Sequence, residues 1–154
     1  MRSRATRSRR RAFGGRLVLA LAVLLGWLPA GAHADDTALG RALFTGAAPL
    51  RGRLSTHPSD LPAGVVRCAN CHAAGQDARV ANSIAPRLNA SWLGELQSRR
   101  GGPPSQYDRA SFCALLRTGL DPAYVLINVE MPRYRISDRD CGALWQFLDG
   151  ASHG

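Results

Sequence analysis

Residues 68–72 read Cys68-Ala69-Asn70-Cys71-His72: two thiols three positions apart, with an imidazole directly after the second. Side chains of these types in this order can do three kinds of chemistry. Each thiol can form a thioether to one of the two vinyl groups of a single haem. The following histidine then falls beneath the iron as its proximal ligand, as in a C-x-x-C-H attachment sequence for haem c. A C-x-x-C pair can also act as a thioredoxin-like redox couple, but that motif is expected near a βαβ pattern, and no strand-rich run surrounds this one. Finally, the pair can supply half of a structural zinc site, which wants four ligands, usually as two spaced pairs. The other cysteines, Cys113 and Cys141, stand singly.

One histidine leaves the sixth position of a haem iron open, and the chain has few side chains to fill it. Met131 is the only methionine besides the initiator, and Pro132 follows it. Proline fixes the backbone and pushes the preceding residue into an extended conformation, which suits a side chain entering a pocket from a loop. A lone methionine also serves as core packing, so both roles stand at this point. As a ligand, its soft thioether would favour ferrous iron and raise the reduction potential. His57, set in a loop where an exposed histidine is the ordinary case, could instead supply a distal acid/base to an open site if that loop folds over the haem. The sequence has no paired carboxylates at useful spacing, no Gly-rich phosphate loop and no nucleophile motif.

The elements that must position these residues are helical. Asp36 to Gly46 has an apolar face of Ala38, Leu39, Ala42 and Leu43, with Gly40 and Phe44 four apart on one side and Gly46 as a stop. Residues 47–64, with Pro49, Gly52, Pro58, Pro62 and Gly64, form a long loop that carries His57, and loops of that length are often functional or mobile. Residues 73–89 are irregular. Ser91 to Arg99 reads as a short helix with Ser91 as N-cap and Trp92, Leu93 and Leu96 apolar. Tyr107 to Thr118 reads as another, closed by Gly119, and Asp121 to Arg135 as a second irregular stretch. Ser137 to Leu148 is the last helix, started by Ser137 with Asp140 and cored by Leu144, Trp145 and Leu148. No strand pattern or repeat stands out, so the expected class is all-α with about four helices.

The 154 residues suffice for one domain. Residues 1–34 read as a cleaved secretory signal peptide: an arginine-rich start, an apolar run from Leu17 to Leu28, then Ala32-His33-Ala34 before a cut at Asp35. The run falls short of the about 20 apolar residues a comfortable membrane span needs. The domain is then 35–154. The formal charge of +9 is mostly the leader's: its seven arginines leave 13 arginines against 11 acids from Asp35 onward, a balance of 13 − 11 = +2. Two haem propionates would bring that near zero, so a nucleic-acid role is not expected. The chain has no lysine, so any basic docking patch must be arginine. Four cysteines in so short a chain suit an oxidising compartment, here the periplasm.

Taken together, these residues resemble the class I (mitochondrial-type) cytochromes c of the small bacterial single-haem kind. The likeness runs from Asp36 to Gly150 and rests on the Gly40/Phe44 helix, Cys68 to His72, Ala85-Pro86-Arg87-Leu88, Met131-Pro132-Arg133-Tyr134, and the closing helix with Trp145. It implies one covalently attached haem c wrapped by the helices. Cys68 and Cys71 would be the thioether residues, His72 the proximal ligand and Met131 the distal ligand. It implies that the Pro86 carbonyl accepts the Nδ1 proton of His72, which orients the ring and raises its basicity. It implies that the first and last helices cross where Gly40, Phe44 and Trp145 lie. Two features depart from the simplest members: the long 47–64 loop and the extra Cys113 and Cys141, which in an oxidising compartment most simply form a disulfide, or else are two separate buried thiols.

The function expected on this reading is electron transfer, not catalysis, between the haem and a redox protein partner, with no stable membrane anchor after cleavage. Arg67, Arg87, Arg133 and Tyr134 flank the motifs and are candidates for contacting propionates or the partner. The alternatives are a haem subunit of a periplasmic dehydrogenase or sulfur-oxidising complex, and a peroxidase-like or gas-sensing protein with an open distal site.

Overall fold

A glycine face on one helix meets a small-residue face on another, and the core is built outward from that meeting. In a computed structural model that describes residues 31–74 and 85–150, the chain forms four α-helices among the described residues: α1 (Gly31–Thr45), α2 (Ala90–Gly94), α3 (Arg109–Thr118) and α4 (Asp138–Gly150). The predicted signal peptide lies outside the described residues except for the α1 backbone at 31–34, so the expected cut before Asp35 would remove only the first turn of that helix. No helix among the described residues is long and apolar enough to cross a membrane.

Helices α1 and α4 form the principal helix pair. A Cβ on Gly40 would lie 2.1 Å from the Ala143 carbonyl oxygen and 2.7 Å from the Phe147 side chain, so only glycine allows this approach. Phe44 stacks at a tilt on Phe147, with ring centroids 5.5 Å apart. The α4 aromatic at this crossing is therefore Phe147 and not Trp145, which instead packs 5.5 Å from Phe112 of α3. Helical geometry explains the correction: Ala143 and Phe147 are four apart and share a face, whereas Trp145 lies between them in sequence and points elsewhere. Leu43, Leu144 and Leu148 fill the surrounding core.

Helix ends follow local chemistry. Asp108 caps α3, accepting from the Ser111 amide at 2.7 Å while its own amide donates to Ser111 Oγ at 2.9 Å; the helix closes at Gly119, φ 78°. Ser137 Oγ accepts from the Asp140 amide at 3.0 Å and starts α4 as expected. The α2 expectation needs correction. Asn89, not Ser91, is the cap, accepting from the Trp92 amide at 2.8 Å, and the helix stops at Gly94. Leu96 is consequently 68% exposed rather than part of an apolar face. Arg99 accounts for the early stop: its buried guanidinium donates to the carbonyls of Trp92 and Ser105 and sits over the rings of Trp92 and Tyr107. It thereby satisfies the Trp92 carbonyl, which a longer helix would have bonded internally.

Two antiparallel ladders were not foreseen, so the class is helix-rich with small sheets. Strand β1 (Gly52–Arg53) pairs with β4 (Arg133–Tyr134), and β2 (Gln97–Ser98) pairs with β3 (Pro104–Ser105). Strands of two residues are too short to show an alternating pattern. The first ladder ties down the long 47–64 loop. Leu61 N donates to Gly52 O at 2.8 Å, Arg135 N donates to Arg51 O at 2.9 Å, and Asp60 pairs with both Arg51 and Arg135.

Cys113 of α3 and Cys141 of α4 are buried and joined in a disulfide, with Cα atoms 5.9 Å apart across 28 residues. Closing a loop of that size contributes about 3.6 kcal/mol in the chain-entropy account. Reducing this bond is expected to lower the urea midpoint by a stability loss of about that size; equal midpoints for the oxidised and reduced protein would show that the bridge does not stabilise the fold. Gly40→Ala gains about 1 kcal/mol of helix propensity, yet the clash with Ala143 should outweigh it and leave a net loss of about 2 kcal/mol. A more stable Gly40→Ala protein in the same titration would contradict the close crossing.

Candidate functional site

The motif sits on a single tight turn. Cys68–Asn70 is a 3₁₀ turn, with Cys71 N and His72 N both donating to Cys68 O, at 3.1 and 2.8 Å. The Asn70 side-chain amide donates back to Gly64 O at 2.8 Å and Val65 O at 3.0 Å, fastening the turn to the end of the long loop. The x-x positions of the motif thus include a residue that shapes the turn, a role its place between the cysteines did not reveal.

This turn brings both thiols and the imidazole to one place. Neither Cys68 nor Cys71 is in a disulfide; Cys68 is half-buried and Cys71 exposed. Burial pushes the Cys68 thiol up to about 11, with the neighbouring Tyr134 hydroxyl acting in the other direction. A thiol at that value is protonated and a poor nucleophile in the folded protein.

His72 is oriented by a backbone acceptor. Its Nδ1 lies 2.8 Å from Pro86 O. A carbonyl only accepts, so Nδ1 carries the proton and the Nε2 lone pair faces away, available as a ligand. Desolvation lowers the His72 pKa, opposed by the bond to Pro86. The Pro86 segment is itself clamped: Leu88 N donates to Ala73 O at 2.7 Å, and Ala74 and Leu88 form a parallel bridge.

Met131 arrives from the other side of the sequence. Its amide closes a turn on Asn128 O at 3.1 Å, and its half-buried side chain packs against the core. Three residues later, Tyr134 reaches back to the motif, donating its hydroxyl to Val66 O at 2.9 Å. Tyr134 is buried, and desolvation with the neighbouring Cys68 raises its pKa far above the phenol range. The methionine loop and the cysteine turn are thereby joined through one buried side chain, whose role needed the β1–β4 pairing to become visible. His57 is exposed and engaged locally, its Nδ1 accepting from Ser59 N at 3.4 Å.

Among the described residues no three of His, Cys, Asp and Glu group to hold a metal ion, which leaves the zinc reading of the cysteine pair without its further ligands. The chain matches no protein-family model, no curated protein and no solved structure.

Tyr134→Phe removes the donor to Val66 O and leaves a polar group short of a partner. A stability loss of about 1–3 kcal/mol is expected by denaturant titration. A neutral substitution would mean that the hydroxyl is not what holds the methionine loop to the turn.

Proposed function

We propose that this chain is an exported c-type cytochrome, carrying single electrons through one haem c to or from a redox protein partner. The observation that carries the reading is the His72 Nδ1–H···O=C Pro86 bond beside two cysteines that are in no disulfide, in a protein whose other two cysteines are bonded to each other. The donor set fits the group: two thiols three positions apart on one turn, an imidazole directly after them whose Nδ1 is engaged by Pro86 O, and a thioether on a proline-braced loop.

When bound, haem c supplies a one-electron ferric–ferrous couple. The chain's residues would do the rest. Cys68 and Cys71 would hold the ring covalently, and His72, turned by Pro86, would supply the proximal nitrogen. Met131 would supply a soft sulfur that favours the ferrous state and raises the potential. With His72 and Met131 both engaged as ligands, a bound haem would be closed to substrate, and the chain would act as a carrier and not an enzyme. The Cys113–Cys141 bridge supports an oxidising location, consistent with export through residues 1–34 to the periplasm.

Expressed with export and haem-attachment machinery, the protein should gain the mass of one haem, and its reduced spectrum should not change with carbon monoxide. Met131→Ala should keep the covalent haem, bind carbon monoxide and show a lower potential. A chain with no added mass would end the cytochrome reading; an unaltered spectrum and potential in Met131→Ala would remove Met131 as ligand.

A further inference from the structure

A strained turn between α3 and Met131 holds an aromatic ring out in solvent. Tyr124 has φ 60°, the left-handed region that a bulky residue rarely enters, and it is 85% exposed. Such a conformation costs about 1–3 kcal/mol and persists only where its surroundings over-determine it. Asp121 supplies that constraint. Its buried carboxylate accepts from the Ala123 amide at 2.9 Å, the Val125 amide at 2.8 Å and Arg100 Nη2 at 2.8 Å. Leu120 and Leu126 then pair across the turn as an antiparallel bridge, and Ile127 N donates to Gly119 O at 2.9 Å. Beyond the turn the apolar residues divide: Ile127 is buried, while Leu126 and Val129 are 67% and 57% exposed. A buried ion pair thus fixes a loop that keeps one aromatic and two aliphatic side chains in water.

Leu126, Ile127 and Val129 line a cleft of about 610 Å³, together with Arg53, Arg117, Arg133 and Arg135. None of Cys68, Cys71, His72 or Met131 lines it. The four cations differ in what neutralises them. Arg117 pairs with Asp138 at 2.6 Å, and Arg135 with Asp60. Arg53 has no hydrogen bond or ion pair from its side chain among the described residues, and Arg133 bonds only a neutral carbonyl. These two are direct cross-strand partners in the β1–β4 ladder. Side chains directly opposite in an antiparallel pair lie on one face, about 5 Å apart at Cβ, and like charges there repel. A carboxylate brought to that face relieves the repulsion, and arginine's planar fork matches it.

We propose that this cleft docks a segment of a partner protein that presents carboxylates on either side of an aliphatic or aromatic side chain. The carboxylates pair with Arg53 and Arg133, and the apolar group packs on Leu126 and Val129, with Tyr124 at the margin. Exposed apolar residues rimmed by charge mark protein interfaces, and Tyr and Arg carry much of the binding energy there. A nucleic acid would satisfy the arginines but leave Leu126 and Val129 without an apolar partner. The proposal goes beyond the proposed function and is independent of it, since the cleft shares no haem-binding residue with the candidate site.

The test uses the full-length exported protein, isotope-labelled, and a short synthetic peptide in which glutamates flank a leucine and a phenylalanine. In amide correlation spectra the peptide should move the signals of Arg53, Leu126, Ile127 and Val129 and leave those of α1 in place. Arg53→Glu should weaken binding about tenfold or more, as loss of a charge-assisted pair does. Leu126→Ser should weaken it several-fold, and Leu96→Ser, equally exposed but outside the cleft, should not. All three sites are on the surface, so unchanged thermal midpoints will show that the variants fold. A peptide with serines for its leucine and phenylalanine should bind several-fold more weakly. Equal binding of that peptide, shifts confined to other surfaces, or no binding at about 1 mM would overturn the proposal. Tighter binding of an oligonucleotide would reassign the cleft to nucleic acid. Concentration-dependent dimerisation of the protein alone, moving the same signals, would reassign it to a second copy of this chain.

Discussion

The backbone contact between Gly40 and Ala143 is the constraint on which the rest depends. It brings the first and last helices within a distance that any side chain at Gly40 would forbid. That closeness lets Phe44 and Phe147 stack and draws Leu144 and Leu148 into a dry core. Helix α3 is then bolted to α4 by the Cys113–Cys141 bridge and by Phe112 against Trp145. The first and last described helices and α3 thus form one frame, and most of what lies between them is loop, with α2 and the two short ladders.

The candidate chemistry sits on those loops. Loops carry functional groups well when a rigid scaffold holds their ends, and here specific bonds hold them along their length. Asn70 binds the motif turn to residues 64 and 65, Leu88 fastens the Pro86 segment to Ala73, and Tyr134 ties the methionine loop to Val66. The β1–β4 ladder performs the same task for the long 47–64 loop. The length of that loop therefore does not mean freedom; its backbone and Asp60 are engaged with β4 and its neighbour Arg135.

Electrostatics separates two uses of arginine in a chain without lysine. Arg99 is structural: buried, stacked between Trp92 and Tyr107, and bonded to backbone carbonyls. Its planar, multi-donor group can satisfy several carbonyls at once, which an ammonium could not do in the same geometry. Arg53 and Arg133 are the opposite case, opposed across a ladder without a carboxylate partner among the described residues. Asp60 shows how readily a carboxylate is taken up in this region, serving Arg51 and Arg135 together.

The sequence by itself determined the candidate chemistry and much of the framework. Cys68, Cys71 and His72 are adjacent in the chain, so their meeting needed no tertiary information. Helices α1, α3 and α4 were legible because apolar periodicity and caps such as Ser137 and Gly119 act within a few residues. The link from His72 to Pro86 was expected from resemblance alone, and the structure has that bond. Other features belonged to the tertiary structure. The shortening of α2 followed from Arg99 competing for its carbonyls, the choice of Phe147 over Trp145 from the angular position of each on α4, and the two ladders from pairing between strands too short to carry a pattern. The facing of Arg53 and Arg133 and the reach of Tyr134 to Val66 join residues dozens of positions apart. Sequence spacing is silent about such contacts, because the geometry that creates them exists only once the chain has folded back on itself.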